Sequence, residues 1–89
     1  MITPNKFFEA CRNGDLKTVK SSSRWIVGIR INGDYALDIA CGNGHLEIVK
    51  YLISIGVVGM KGDYAIESAS DNGHLEIVKY LVSLGAPPP

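Results

Sequence analysis

The chain carries one block of sequence twice: residues 34–56 read DYALDIACGNGHLEIVKYLISIG and residues 63–85 read DYAIESASDNGHLEIVKYLVSLG, at a constant offset of 29. A weaker copy precedes them, because residues 10–20, ACRNGDLKTVK, match residues 40–50, ACGNGHLEIVK, at an offset of 30. Repeats of this length form stacks in which each unit contacts only its neighbours, and about three units are needed for stability. The sequence therefore predicts a stack of about three repeats with a degenerate first one.

Each good copy predicts two short helices joined by a turn. Asn-Gly at residues 43–44 and 72–73 separates them, because glycine adopts the left-handed conformation that ends a helix. The second helix is apolar over a wide face, so it must pack on its partner helix and on neighbouring repeats. Asp34 and Asp63 are predicted N-caps of the first helices. The predicted helices cover residues 35–42, 46–55, 64–71 and 75–84, with short extended or looped connections between repeats.

Size and composition bound the class of protein. The chain has 89 residues, of which 46% are hydrophobic, and this is typical of one small folded domain. It contains no apolar run of 18 residues that could cross a membrane. The first six residues do not resemble the start of a secretory signal peptide. We therefore expect an intracellular protein, and the cytoplasm is the simplest location.

Charge is distributed unevenly along the chain, although the net charge is zero. Residues 1–30 carry six basic and two acidic side chains, a net +4, whereas residues 31–89 carry three basic and seven acidic side chains, a net −4. Because sequence order is spatial order in a repeat stack, one end is predicted to be basic and the other acidic. This polarity has two interpretations: chance in a short chain, or a role in head-to-tail self-association or in binding a polarised partner.

The two identical runs GHLEIVKYL, at residues 44–52 and 73–81, resemble the second-helix signature of ankyrin repeats, and Ala40 and Ala69 resemble the small residue of the family's first helix. The family's Thr-Pro-Leu-His opening is replaced by Tyr-Ala-Leu-Asp at residues 35–38, and the period is 29–30 residues instead of 33. Both departures resemble the ankyrin arrays of giant DNA viruses. The resemblance implies an all-α ankyrin-repeat solenoid of about three helix-turn-helix repeats with short finger connections. It would form one domain, 1–89, with repeats at about 5–27, 33–57 and 62–86 and a proline-rich tail at 87–89.

The resemblance also implies a function, which is protein–protein recognition without catalysis. In the family, partners bind the concave face formed by the fingers and the first helices, and a viral member would act in the host cytoplasm. For any one residue carried over, the alternative is an ordinary solvated surface position, and Tyr35 and Tyr64 could equally seal the finger against the helix. The candidate partner-binding residues are Arg12, Asn13, Arg30, Asn32, Asp34, Tyr35, Met60, Lys61, Asp63, Tyr64 and Asp71.

Cysteine and histidine recur at fixed repeat positions. Cys11 and Cys41 are expected to be buried and unpaired, because stacked helices lie about 8–10 Å apart whereas a disulfide needs Cα atoms within about 7 Å. Unpaired cysteines suit a reducing compartment. His45 and His74 lie one repeat apart and do not converge on a point, so a metal site is not expected. We expect each ring to hydrogen-bond backbone at the turn between helices.

Acidic pairs recur as well, Asp34 with Asp38 and Asp63 with Glu67. The spacing of four residues places each pair on one helical face, where a solvated ladder of acids is the favoured interpretation over acid–base catalysis. No glycine-rich phosphate loop or Gly-x-Ser-x-Gly motif is present. The basic first third lacks the interleaved aromatics that stack on bases. We therefore predict no enzyme activity, cofactor, metal, nucleic acid, membrane or small-molecule substrate.

The ends of the predicted stack differ from its middle. The last second helix is as apolar as the internal one, which predicts apolar surface at the C-terminal end unless the proline-rich tail covers it. The first repeat carries Ser21-Ser22-Ser23 in its second helix, and Trp25-Ile26-Val27 either pack under the second repeat or form an exposed anchor. A second hypothesis follows, in which the chain is a self-associating structural unit that assembles through this C-terminal end.

Overall fold

A computed structural model of the chain describes residues 4–29, 33–55 and 63–85. In this part of the chain there are six α-helices and no strand. They are α1 Pro4–Asn13, α2 Leu16–Ile29, α3 Gly33–Gly42, α4 Leu46–Ser54, α5 Asp63–Asp71 and α6 Leu75–Ser83. Each pair, α1 with α2, α3 with α4 and α5 with α6, forms one repeat. The predicted all-α stack of about three helix pairs is confirmed.

The predicted helix starts need a correction. The helices α3 and α5 begin at Gly33 and Asp63, so Asp34 and Asp63 lie inside their first turns and the N-cap prediction is wrong. A carboxylate is favourable both at an N-cap and in the first turn, where it faces the positive end of the helix dipole. Residue type therefore could not distinguish the two positions. The run Trp25-Ile26-Val27 lies within α2; its side chains are outside the described part.

The turns between paired helices are as the Asn-Gly pattern predicts. Gly14, Gly44 and Gly73 follow α1, α3 and α5 with φ of 80°, 79° and 76°. The next backbone amide closes each later turn, since the amide of His45 donates to the carbonyl of Ala40 at 3.0 Å and that of His74 to Ala69 at 2.8 Å. The left-handed glycine thus allows a carbonyl at the end of the first helix to be hydrogen-bonded. It also reverses the chain direction, so that the second helix runs antiparallel to the first.

The core is continuous and repeats its own pattern. Fully or nearly fully buried side chains recur at equivalent positions, as in the ladder of small residues Ala10, Ala40 and Ala69 and in the larger ladder Phe7, Leu37 and Ile66. The small ladder lets successive first helices pack closely. The helices α1, α3 and α5 contact one another more extensively than α2, α4 and α6 do. The first helices are therefore packed more closely on one another than the second helices are.

Both cysteines belong to this core. Cys11 and Cys41 are free and fully buried, as predicted. Burial raises the pKa of each thiol to about 12, and the negative charge of Asp38 adds to the effect at Cys41. Both thiols are therefore protonated at neutral pH and act as small apolar groups that fill the stack.

Candidate functional site

The predicted binding residues are distributed over two edges of the stack. Arg12, Asn13 and Asp71 are exposed at the C-terminal ends of α1 and α5, and Tyr35 lies in the first turn of α3, toward the other end of the first helices. We call these four residues the first-helix surface. Asp34, Asp63 and Tyr64 lie in the first turns of α3 and α5, with side chains outside the described part. Arg30, Asn32, Met60 and Lys61 fall outside the described residues.

Tyr35 combines a fixed position with an accessible ring. Its ring meets that of Phe8, in the preceding repeat, edge to face at a centroid distance of 4.8 Å. Even so, 45% of the Tyr35 surface stays exposed. An aromatic side chain held by a neighbour loses little conformational freedom on binding, and exposed tyrosine is enriched at interfaces. Through this contact with Phe8, the ring of Tyr35 also packs the second repeat against the first.

The two recurring histidines join neighbouring repeats. His45 Nε2 lies 2.8 Å from the carbonyl oxygen of Arg12, and His74 Nε2 lies 3.2 Å from that of Gly42. Because a carbonyl only accepts, each Nε2 carries the donated proton. Hydrogen bonding to backbone is confirmed, but the acceptor belongs to the preceding repeat. The repeat spacing alone did not specify that direction.

Each histidine ring also covers the turn glycine of the preceding repeat. A Cβ atom built on Gly14 would lie 2.8 Å from the ring of His45, and one on Gly44 would lie 2.6 Å from the ring of His74. A Cβ built on Gly73 would meet no atom of the described residues within 4 Å. The turn of the third repeat therefore has the same shape as the other two, and no described side chain lies over it.

A third contact recurs between second helices. Lys20 Nζ lies 5.9 Å from the ring centroid of Tyr51, and Lys50 Nζ lies 5.6 Å from that of Tyr80. A cation over an aromatic face within about 6 Å is stabilising. Each interface between repeats thus takes its carbonyl, turn glycine and lysine from the preceding repeat, and its histidine and tyrosine from the following one.

The first repeat has a polar outer side, which we call the N-terminal face. It is formed by Lys6, Glu9, Ala10, Asn13, Asp15 and Thr18, which line a cleft of about 250 Å³. The second repeat has Ala36, Ile39, Ala40, Asn43, His45 and Ile48 at the same positions. Four of those six, Ala36, Ile39, Ala40 and Ile48, are buried. The first repeat therefore carries charged and polar groups on this side, where the second repeat carries buried apolar ones.

Asp15 shows how this end is completed locally. Its carboxylate accepts from the Thr18 backbone amide at 3.1 Å and from the Thr18 hydroxyl at 2.6 Å, which caps α2. These hydrogen bonds lower the pKa of Asp15. The match of residues 10–20 to 40–50 pairs Asp15 with His45, but Lys6 and Glu9, which stand opposite Ala36 and Ile39, lie before it. Extending the alignment of the copies into the first helix would have revealed them.

The third repeat has an apolar outer side, which we call the C-terminal face. Its members are Gly73, Leu75, Val78, Lys79, Val82 and Leu84. Leu75 is 63% exposed and Leu84 is 54% exposed, whereas their equivalents in the second repeat, Leu46 and Ile55, are half-buried. The predicted apolar surface at this end is confirmed for the described residues.

Asp38, in α3, is a partly buried carboxylate close to the next repeat. It lies between α3 and α5, where burial raises its pKa and a hydrogen bond from the Ser68 side chain opposes that rise. Its equivalent in the third repeat, Glu67, is exposed. The raised pKa of Asp38 is therefore explained by burial next to the following repeat, without repulsion from a second carboxylate.

Replacing Asp38 by asparagine is expected to stabilise the protein at pH 7. The folded pKa lies above the unfolded value of 3.8, so ionisation disfavours the folded state as the pH rises through this range. Asparagine keeps an oxygen that accepts from Ser68 and removes the charge. Thermal unfolding should show a small rise in Tm at pH 7 that disappears well below pH 3.8. A variant that is less stable than the natural chain at pH 7 would contradict this assignment.

Within residues 4–29, 33–55 and 63–85 no group of three or more His, Cys, Asp or Glu side chains is placed to hold a metal ion. None of the helices in these ranges has the length and apolar character needed to span a bilayer.

Comparison with protein families gives a match over most of the chain. The sequence model for ankyrin repeats in three copies matches residues 7–88, nearly the whole chain. Among curated proteins and among solved structures, none matches the chain significantly.

Proposed function

Because the chain belongs to the ankyrin-repeat family, we propose that it is a non-catalytic module that binds another protein through its first-helix surface. Ankyrin repeats are generally protein–protein interaction modules, and the family is typically non-catalytic. The observation that carries the proposal is Tyr35, whose ring is fixed by Phe8 and is still 45% exposed. A preorganised aromatic group of this kind is a common centre of binding energy at protein interfaces.

Two further features support the first-helix surface as the binding side. The closer packing of α1, α3 and α5 curves the stack toward it. Arg12 at one end and Asp71 at the other give it opposite charges, which would orient a partner along the stack. The connecting residues Arg30, Asn32, Met60 and Lys61, with Asp34, Asp63 and Tyr64, complete the proposed contact region.

The proposed partner is a protein, and the proposed role is that of an adaptor. We assign no cofactor, metal, nucleic acid, membrane or small-molecule substrate to it. An intracellular location is part of the proposal, because two buried free thiols suit a reducing compartment. If the resemblance to giant-virus arrays reflects origin, that location is the cytoplasm of the host.

Self-association is the second candidate function. It is favoured by the exposed apolar side chains of the C-terminal face and by the opposite net charges of the two parts of the chain. A head-to-tail assembly would place the N-terminal face against that apolar surface. Lys6, Glu9 and Asp15 would then lose water without gaining the contacts found inside the stack, which is unfavourable. Binding to a different protein is therefore the function that the geometry supports better.

Capture of a partner with matched variants tests the proposed function. The intact chain is immobilised, and bound proteins from the cells in which it occurs are identified and titrated. Arg12→Ala/Tyr35→Ala/Asp71→Ala is expected to lower affinity for the captured protein by about tenfold or more, since central aromatic and charged contacts dominate interfaces. The control Glu47→Ala/Ser54→Ala/Glu76→Ala removes exposed side chains of the second helices and should bind as the natural chain does.

Circular dichroism confirms that both triple variants are folded before binding is compared. If the first-helix variant binds normally while the second-helix control loses binding, the first-helix surface is not the site and the proposed function is wrong in that respect.

A further inference from the structure

Two positions of the first helix recur along the side of the stack. From repeat to repeat the first is held by Phe8, Asp38 and Glu67, and the second by Arg12, Gly42 and Asp71. The two positions are four residues apart, so they share one face of each helix, and all six residues are at least partly exposed. Repeats added at either end of a stack contact only their neighbours, so they would lengthen this side without covering it.

The charge on this side changes along the stack. The first repeat contributes Phe8 and the cationic Arg12. The second and third repeats contribute the carboxylates of Asp38, Glu67 and Asp71, which we call the carboxylate patch. The helices that carry the patch, α3 and α5, contain neither lysine nor arginine. This part of the side is therefore anionic and attracts cationic groups.

Tyr35 places an aromatic ring beside the carboxylate patch. It lies three residues before Asp38 in α3, and side chains at this spacing are neighbours on a helix. Phe8 holds the ring at a centroid distance of 4.8 Å, and 45% of the Tyr35 surface is still exposed. A cation is attracted to such a place both by the aromatic ring and by the carboxylates.

Asp38 can accept further hydrogen bonds from a cationic group. The hydroxyl of Ser68 donates one hydrogen bond to its carboxylate, and an ionised carboxylate has about four acceptor sites. Asp38 is only partly buried, so the carboxylate is accessible from outside. A charge-assisted hydrogen bond is stronger in such a partly desolvated position than in open water.

The surface next to Asp38 leaves room for another side chain. Gly42 stands where the neighbouring repeats carry Arg12 and Asp71, so the middle repeat has no side chain at this position. A Cβ built on Gly42 would lie 2.5 Å from Oγ of Ser68, so the close approach of α5 keeps the position small. The middle repeat therefore offers a carboxylate and an aromatic ring beside a gap between longer side chains.

We propose that this surface binds a protein segment through an arginine side chain, whose guanidinium stacks on Tyr35 and is hydrogen-bonded to Asp38. Arginine fits better than lysine, because its planar group can contact an aromatic ring and a carboxylate together. Further basic residues of the segment would lie toward Glu67 and Asp71, and an acidic residue toward Arg12. The inference rests on the proposed function, since it names the chemistry of the partner that the first-helix surface binds.

Titration with short peptides tests this chemistry directly. The probes are the acetylated and amidated peptide Gly-Arg-Gly-Arg-Gly and its counterparts with lysine, citrulline or glutamate in place of arginine. Two-dimensional amide NMR of the full chain follows each titration. The arginine peptide should cause saturable shifts at Tyr35, Asp38 and Glu67 and should bind about threefold or more tightly than the lysine peptide. The citrulline and glutamate peptides should cause no saturable shift.

Two substitutions in α3 identify the contacts. Asp38→Asn keeps an acceptor for Ser68 and is expected to stabilise the fold at pH 7, so lost binding would not come from unfolding. It should weaken binding of the arginine peptide by about tenfold or more, because a hydrogen bond to a charged group is lost. Tyr35→Leu retains an apolar contact with Phe8 and should remove the preference for arginine over lysine.

A charge-matched pair of variants separates local contacts from net charge. Glu67→Gln/Asp71→Asn removes two exposed carboxylates from α5, and Glu47→Gln/Glu76→Gln removes two from the second helices. The first should weaken binding of the arginine peptide by about twofold to fivefold. The second should leave it unchanged at physiological ionic strength, where distant charges are screened. Equal weakening by both would show that net charge alone attracts the peptide, and would overturn the proposal.

This inference and the proposed function fail separately. If the arginine peptide causes no saturable shift, or binds Asp38→Asn as tightly as the natural chain, the arginine assignment is wrong. A captured protein that is lost with Arg12→Ala/Tyr35→Ala/Asp71→Ala but unaffected by Asp38→Asn would overturn the arginine assignment and leave the first-helix surface as the binding side. If the peptide binds as expected but the captured protein does not use this surface, the proposed function is wrong in that respect and the arginine-binding chemistry stands.

Discussion

Gly44→Ala is expected to destabilise the protein by about 2–5 kcal/mol, whereas Gly73→Ala should cost only about 1–2 kcal/mol. The two glycines end equivalent helices with φ of 79° and 76°, so the backbone strain from an added Cβ is the same at both. The two substitutions differ in the atoms that the added Cβ would meet. At Gly44 the Cβ would lie 2.6 Å from Cε1 and 2.7 Å from Nδ1 of His74, whereas at Gly73 it would meet no atom of the described part of the chain within 4 Å.

The ring of His74 cannot move aside without cost, because its Nε2 donates to the carbonyl of Gly42. Alanine at residue 44 therefore strains the turn and weakens the interface between the second and third repeats. Folded domains of this size have a free energy of unfolding on the order of 4–13 kcal/mol. Gly44→Ala would therefore remove a large part of the stability of the protein. Urea unfolding followed by circular dichroism measures both variants. An equal loss in the free energy of unfolding for Gly44→Ala and Gly73→Ala would show that the contact of His74 with the turn does not stabilise the interface between the repeats.

Leu52→Ala is expected to cost about 2–5 kcal/mol, through lost apolar burial and the cavity that remains. Leu52 is fully buried in α4, the second helix of the middle repeat, which packs against both neighbours. In a stack of three units the stability is approximately a sum of repeat and interface contributions. A defect in the middle repeat therefore weakens both interfaces, and the urea midpoint should fall by a large fraction of its value.

Leu84→Ala is the matched control, because it removes the same atoms from a side chain that is 54% exposed at the C-terminal face. Its expected cost is below about 1 kcal/mol. A loss at Leu84 as large as that at Leu52 would mean that the C-terminal face is covered in the free protein.

The repeated block was sufficient to predict the helices, the turns and the burial of the cysteines. Identical spacing in two copies fixes the helix pair, and an Asn-Gly step fixes the turn, since left-handed glycine ends the helix there. The starts of α3 and α5 were less well predicted, because an acidic residue fits an N-cap and a first turn equally well. Both features depend on the conformational preferences of single residues. Such preferences locate the turns well, but they do not fix the first residue of a helix when one residue type suits two neighbouring positions.

Contacts between repeats were harder to predict than the repeats themselves. The sequence indicated that His45 and His74 bind backbone, but the carbonyl that each contacts is 32–33 residues away and belongs to another repeat. The contact of Phe8 with Tyr35 likewise joins positions that share no pattern, since Phe8 aligns with Asp38. The charged N-terminal face could have been recognised by comparing the copies position by position.

Absolute molar mass of the natural chain, measured by light scattering over about a hundredfold range of concentration, tests most directly whether the protein acts on a different partner or on itself. A constant mass of 9.6 kDa is expected, because the charged N-terminal face does not complement the apolar C-terminal face. A mass that rises with concentration to a dimer or to an open series would contradict this expectation. Self-association would then become the leading function.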